Sequence, residues 1–194
     1  MQVKVEEIVR DVLRLMDENV DILQEKIEFG IAGTNLVDLI REEIEPVAAE
    51  CILSATSSEL NESKEYEAEV EWEGIGRGRV ILPSDFLRLI RFRMSDWDRS
   101  VTRFMEYGGE AYSLRFHPRS GRRGIRSSPA VAIQSEGSDA YLEFVGSTDP
   151  GTYVERFSYI PRPVIAPDDT ICIPSGLFPR VARTCAQRLH DGVL

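Results

Sequence analysis

The 194-residue sequence is poor in the residues that build disulfide frameworks and metal centres. It has three cysteines, Cys51, Cys172 and Cys185. A small, odd number suits a reducing compartment better than a disulfide framework. Their spacing matches no zinc-ligand pattern. The two histidines, His117 and His190, are isolated from each other and cannot build a His-rich metal site. No run of 18 apolar residues occurs, so no transmembrane helix and no membrane partner are expected. The opening Met1-Gln2-Val3-Lys4-Val5-Glu6-Glu7 lacks the basic-then-apolar layout of a secretory leader. Lysine is scarce as well: Lys4, Lys26 and Lys64 are the only lysines among 23 basic residues.

The remainder is ordinary globular material, 42% hydrophobic and 29% charged. A chain of this length buries roughly 70% of its unfolded surface and needs no metal or disulfide to fold. The net charge of −10 argues against a general nucleic-acid coat. That charge is unevenly placed. Residues 1–73 hold 20 acids and 6 bases, residues 74–134 hold 5 acids and 12 bases, and residues 135–194 hold 8 acids and 5 bases. The bases are mostly arginine, whose planar, weakly hydrated guanidinium suits interfaces. Two readings stand: a solvated acidic face with scattered loop arginines, or complementary surfaces within an assembly.

Apolar residues at three- and four-residue spacing predict a helix over 3–27, with a possible break at 17–21 and a turn at Gly30 and Gly33. A second helix is predicted over 35–54, capped by Thr34 or Asn35 and kinked or split at Pro46. The period then falls to two. Tyr66, Ala68, Val70 and Trp72 alternate with five glutamates, which predicts a half-buried strand with an acidic face. Residues 80–82 form a short strand. In 87–94, Ile90, Phe92 and Met94 share one face and Arg91 and Arg93 the other. Pairing of that arginine face with the glutamate face, Glu69 with Arg91 for example, is the expected contact. Strands are predicted over 130–134, 141–145 and 153–160. A last helix runs over 177–190, with Ser175 as cap and Leu177, Val181, Cys185 and Leu189 as its buried stripe.

The fold class is therefore α+β. N-terminal helices and a C-terminal helix form a small helical bundle with an inserted antiparallel β-rich unit. The whole of 1–194 reads as a single domain, with the helical part at 1–58 plus 175–194 and the β-rich insert at 59–174.

Catalytic signals are weak, and no catalytic, cofactor-binding or metal-ligating residue is assigned. Gly74-Ile75-Gly76-Arg77-Gly78 sits between two strands and opens no helix, so it fails the dinucleotide fingerprint. Asp96-Trp97-Asp98 and Asp168-Asp169 suit capping better than a cation site. Cys51 and Cys185 lie on apolar stripes and read as packed thiols. The one strong basic cluster is Arg115, Arg119, Arg122, Arg123 and Arg126 in a Gly/Ser-rich loop. It can contact nucleic-acid phosphates or the acidic face of another subunit, or remain a solvated loop. Glu67, Glu69, Glu71, Arg91, Arg93 and Trp97 are the candidate subunit-interface residues.

The segment Leu82-Pro83-Ser84-Asp85-Phe86-Leu87-Arg88-Leu89-Ile90-Arg91-Phe92-Arg93-Met94-Ser95-Asp96-Trp97, together with Pro129-Ala130-Val131-Ala132-Ile133, Arg156-Phe157-Ser158-Tyr159-Ile160-Pro161 and the closing helix, resembles the head-to-tail adaptors of tailed bacteriophages. This is the tail-tubular or gatekeeper-type connector family, and the resemblance spans nearly the whole chain. It implies a virion structural protein of a phage or prophage, without enzymatic activity or cofactor. It also implies self-assembly into a homo-oligomeric ring below the portal, contact with portal and tail proteins, and transient passage of DNA. The implied location is the virion, with the host cytoplasm during assembly. The alternative is a soluble β-based module that binds a protein or glycan through exposed aromatics such as Trp72, Trp97, Tyr107 or Tyr112.

Overall fold

The computed structural model describes residues 2–16, 36–60, 62–136, 139–148 and 151–193. It is a mixed α and β structure that divides into two compact units, Met1–Glu62 with Arg162–Leu194 and Ser63–Pro161. Residues 59–62 and 162–174, which the sequence pattern places in the β-rich insert, belong to the helical unit.

In the helical unit, β1 (Gln2–Lys4) pairs antiparallel with β10 (Thr170–Cys172). Helix α1 (Val5–Met16) begins two residues later than its periodicity suggests, because Val3 is buried opposite Ile171 in the ladder. The predicted continuation to residue 27, the break at 17–21, the turn at Gly30 and Gly33 and the cap at 34–35 lie outside the described residues. Helix α2 (Leu36–Ser54) runs through Pro46 without a split. Pro46 is exposed, and the carbonyl that its missing N–H would have bonded belongs to Glu42, also exposed, where solvent can satisfy it. A 3-10 turn (Ser175–Leu177) leads into the last helix. Ser175 lies inside that turn, which has no side-chain cap bond. The last helix (Phe178–Val193) carries Pro179 harmlessly in its first turn.

Both α1 and α2 pack on this last helix, burying Ile8, Val12, Ile44, Val47, Val181 and Cys185. Ion pairs brace the packing. Arg188 reaches Glu43 at 3.3 Å and also bonds Glu50. Arg41 donates twice to the Asp169 carboxylate, at 2.9 and 2.7 Å. Asp169 holds φ +60°, and its own carbonyl accepts from the Val5 N–H at 3.0 Å, so Arg41 fixes the turn on which α1 starts.

The β-rich unit has two sheets, ordered β2-β9-β5 and β3-β4-β8-β7-β6. The strands are β2 (Lys64–Glu65), β3 (Glu71–Gly74), β4 (Arg77–Ile81), β5 (Phe86–Met94), β6 (Met105–Glu106), β7 (Ala130–Glu136), β8 (Asp139–Val145) and β9 (Val154–Pro161). The pairing is antiparallel except for β6 on β7, which is parallel and departs from the expected all-antiparallel unit. Strand β2 joins β9 and β3 joins β4, and residues 66–70 between them are in no strand, so of the strand predicted through 66–72 only its last two residues form, in β3. Its period-two burial survives: Tyr66, Ala68, Val70 and Trp72 all pack on the core while the intervening glutamates are exposed. A short helix, α3 (Glu110–Phe116), occupies a stretch with no sequence signal of its own.

Strand β5 carries a register shift between Leu89 and Arg91. The extra residue turns Ile90 off the core side. Leu89, Phe92 and Met94 form the buried face in its place. Between the sheets lies an aromatic core. Trp97 meets Phe92 edge-on at 5.6 Å and Phe144 at 6.0 Å between ring centroids, and Phe157 and Tyr159 continue the cluster.

Candidate functional site

The arginine-rich segment is a fastened loop. Arg115 on α3 donates to the Ser128 hydroxyl at 3.0 Å and to the Ser128 and Pro129 carbonyls. Arg123 donates to the Ile75 carbonyl at 2.7 Å. Arg126 donates through Nε to the Asp96 carbonyl at 2.7 Å. Three of the five predicted arginines therefore hold the segment down through backbone acceptors. Arg119 and Arg122 are exposed, and their side chains have no partner among the described residues.

The floor beneath the loop is built by close backbone approach. At Gly76, φ is +73° and a Cβ would stand 2.3 Å from the Ser147 carbonyl oxygen, so only glycine fits. Asp96 clamps the neighbouring turn, accepting the Ser147 hydroxyl at 3.1 Å and the Thr148 N–H at 2.9 Å. Two clefts adjoin here. One of about 580 Å³ is lined by residues including Ile75, Arg123, Ile125, Arg126 and Thr148. The other, about 400 Å³, includes Leu114, Arg115, Arg122, Arg123 and Ile125. Arg123 and Ile125 belong to both. Ile75, Ile125 and Leu114 are 87%, 58% and 38% exposed, an apolar ridge framed by guanidinium groups. Sequence reading missed this ridge. Its only signal is a branched apolar residue beside glycine in two polar turns, at Gly74-Ile75-Gly76 and Gly124-Ile125.

The other predicted contact residues are scattered. Glu71 pairs with Arg79 at 2.8 Å, and Arg93 with Glu155 at 2.9 Å. Glu67 and Glu69 are exposed in the linker between β2 and β3. The expected Glu69–Arg91 pairing does not form. Arg91 stands opposite Ser158, and on the far side of Ser158 the same row holds Glu65, which accepts the Ser158 hydroxyl at 2.7 Å. Strand β9 thus separates the two charged faces. Trp97 is 1% exposed and is a core residue, unavailable as an interface contact. Most aromatics named for a ligand-binding patch are likewise spent on packing: Trp72 lies edge-on to Phe144 at 5.6 Å and Tyr112 stacks on Phe116 at 4.4 Å.

Beneath the surface, Glu143 is 2% exposed and is the acidic centre of a polar group. Arg77 forms an ion pair with it and reaches Glu73 at 3.1 Å, while the Tyr112 hydroxyl donates to Glu143 at 2.8 Å. Burial, then that bond to Glu143, pushes the Tyr112 hydroxyl well above its usual range, so it stays a donor.

No gathered nucleophile, base or ligand set appears among the described residues, which include no cluster of three metal-ligating side chains. His117 ends α3, where its Nδ1 accepts the Arg119 N–H at 3.2 Å. Cys51 and Cys185 are buried, and burial pushes the Cys185 thiol up to about 12. Cys172 is exposed. Native protein at pH 8 should therefore label rapidly at one thiol, Cys172, with the other two reacting only on denaturation. Mass spectrometry after timed alkylation checks this; rapid double or triple labelling would contradict the packing. No protein-family model and no curated protein matches the chain.

Proposed function

We propose that the chain is a structural subunit of a phage or prophage particle, a head-to-tail connector that assembles as a homo-oligomeric ring below the portal. On this reading the three packed helices of the helical unit serve as a small bundle, the protein has no catalytic role and no cofactor, and DNA passes the ring during packaging and ejection. Its partners are further copies of itself and the portal and tail proteins, in the virion and, before that, in the host cytoplasm.

The observation that carries the reading is the division of charge between the units. The helical unit holds 18 acids and 9 bases, whereas the β-rich unit holds 15 acids and 14 bases, with the exposed Arg119 and Arg122 together on one loop. Two unlike, complementary surfaces on one chain favour head-to-tail contacts, which close into rings when the rotation allows. The resemblance of the 82–97 segment to connector proteins gives that assembly its place. Mixing the purified chain with portal and examining the product by electron microscopy and co-sedimentation tests it. Rings that co-sediment with portal are expected; absence of both overturns the proposal.

A further inference from the structure

We infer that the arginine-framed ridge of Leu114, Ile125 and Ile75 receives the outer stripe of α2 from a second copy of this chain. The inference rests on the assembly reading and gives that assembly its contact.

The ridge has the anatomy of a protein interface, an apolar centre with a charged rim. A monomer gains nothing by leaving Ile75 at 87% and Ile125 at 58% exposure side by side along one cleft. A phosphodiester backbone would use Arg122, Arg123 and Arg126 but would find no partner for the three branched side chains between them. The chemistry that satisfies both is a protein surface bearing carboxylates and apolar groups in one line.

This chain carries such a line. On α2, Asp38, Glu42, Pro46, Ala49 and Leu53 follow one another at four-, four-, three- and four-residue spacing, which keeps them on a single stripe. The stripe faces away from the packed side of the helix. Asp38, Glu42 and Pro46 are exposed, Ala49 is half-buried and Leu53 is 57% exposed. Acids occupy its first half and apolar residues its second, over a length of about 22 Å. Asp38 and Glu42 match Arg122 and Arg123 in charge, and Leu53 matches the ridge in chemistry. Donor and receptor are different surfaces, so each copy offers one and accepts one.

Sedimentation velocity over a concentration series, at low salt and at about 0.5 M salt, tests the pairing. The wild-type chain is expected to self-associate, less so in high salt. The double variant Arg122→Glu with Arg123→Glu should weaken association by about tenfold or more. So should Ile125→Asp, which leaves every arginine in place, with each variant's folding checked by circular dichroism. Mixing the Arg122→Glu, Arg123→Glu protein with an Asp38→Arg, Glu42→Arg protein should restore a complex that neither forms alone. Variants that associate like wild type would overturn the inference, as would a wild-type chain that stays monomeric at every concentration. Loss of DNA binding in the double variant with unchanged self-association would also overturn it and assign the loop to nucleic acid. Co-sedimentation with portal on the same samples reports separately on the assembly reading: portal binding that survives Ile125→Asp leaves that reading standing without this contact.

Discussion

Arg77→Met should cost about 3–5 kcal/mol of stability in the β-rich unit. Glu143 is almost fully enclosed, with its charge balanced by Arg77 and a hydrogen bond accepted from the Tyr112 hydroxyl. Removing the guanidinium leaves a carboxylate in a low-dielectric setting with one neutral donor, and that desolvation is the bulk of the penalty. The same logic sets the second arm. Arg77→Met combined with Glu143→Leu removes both charges and should recover most of the loss, since a buried pair replaced by apolar groups of similar size is often neutral. Urea unfolding of the wild type, the single variants and the double variant closes the cycle. For a unit of this size the single Arg77 change lowers the thermal midpoint by roughly 4–8 °C per kcal/mol. A loss below about 1 kcal/mol, the value of an exposed pair, would mean that water reaches Glu143.

Trp97→Ala should be comparably damaging, at about 3–5 kcal/mol, because it empties the centre of the aromatic cluster that Phe92 and Phe144 line. Trp97→Phe separates volume from polarity. The indole Nε1 is buried without an acceptor among the described residues. The phenyl replacement therefore gives up packing but also removes an unsatisfied donor, and the two effects oppose each other. A net cost within about 1.5 kcal/mol is expected. A well-folded Trp97→Ala protein that fails only in self-association would return this residue to the surface. Near-ultraviolet circular dichroism with chemical denaturation distinguishes the two.

Periodicity made much of this fold legible. The α2 stripe, the alternation at 66–72 and the strands at β7, β8 and β9 all follow from residue spacing, because each element buries one face. What spacing could not show were the places where tertiary contacts override it. Val3 continues the α1 pattern yet joins a ladder with Ile171, a partner more than 160 residues away. The β5 register shift moves the buried position from Ile90 to Leu89, a displacement visible only once β9 is beside it. Helix α3 is seven residues long and has no side-chain cap bond to mark its start. For the candidate site, composition found the arginines but not their employment. Ile75, Asp96 and Ser128 hold them through backbone carbonyls, and every residue has one of those, so no sequence pattern announces the partner. Trp97 stands between two aspartates and looks like a surface residue; only the inward packing of the turn after β5 reveals it as core.

The helical unit is assembled from segments on both sides of the β-rich unit, and this sets an order on biosynthesis. Helix α2 ends at Ser54 and the last helix, on which α1 and α2 pack, starts at Phe178. At roughly 5–20 residues per second, the ribosome takes about 6–25 s to bridge that gap. During that interval Ile8, Val12, Ile44 and Val47 lack the surface that later buries them. The β-rich unit, by contrast, has all its strands once Pro161 has emerged. The nascent chain therefore holds a finished β-rich unit and an unfinished helical one, and a stalled or truncated product would be a chaperone client rather than a soluble fragment.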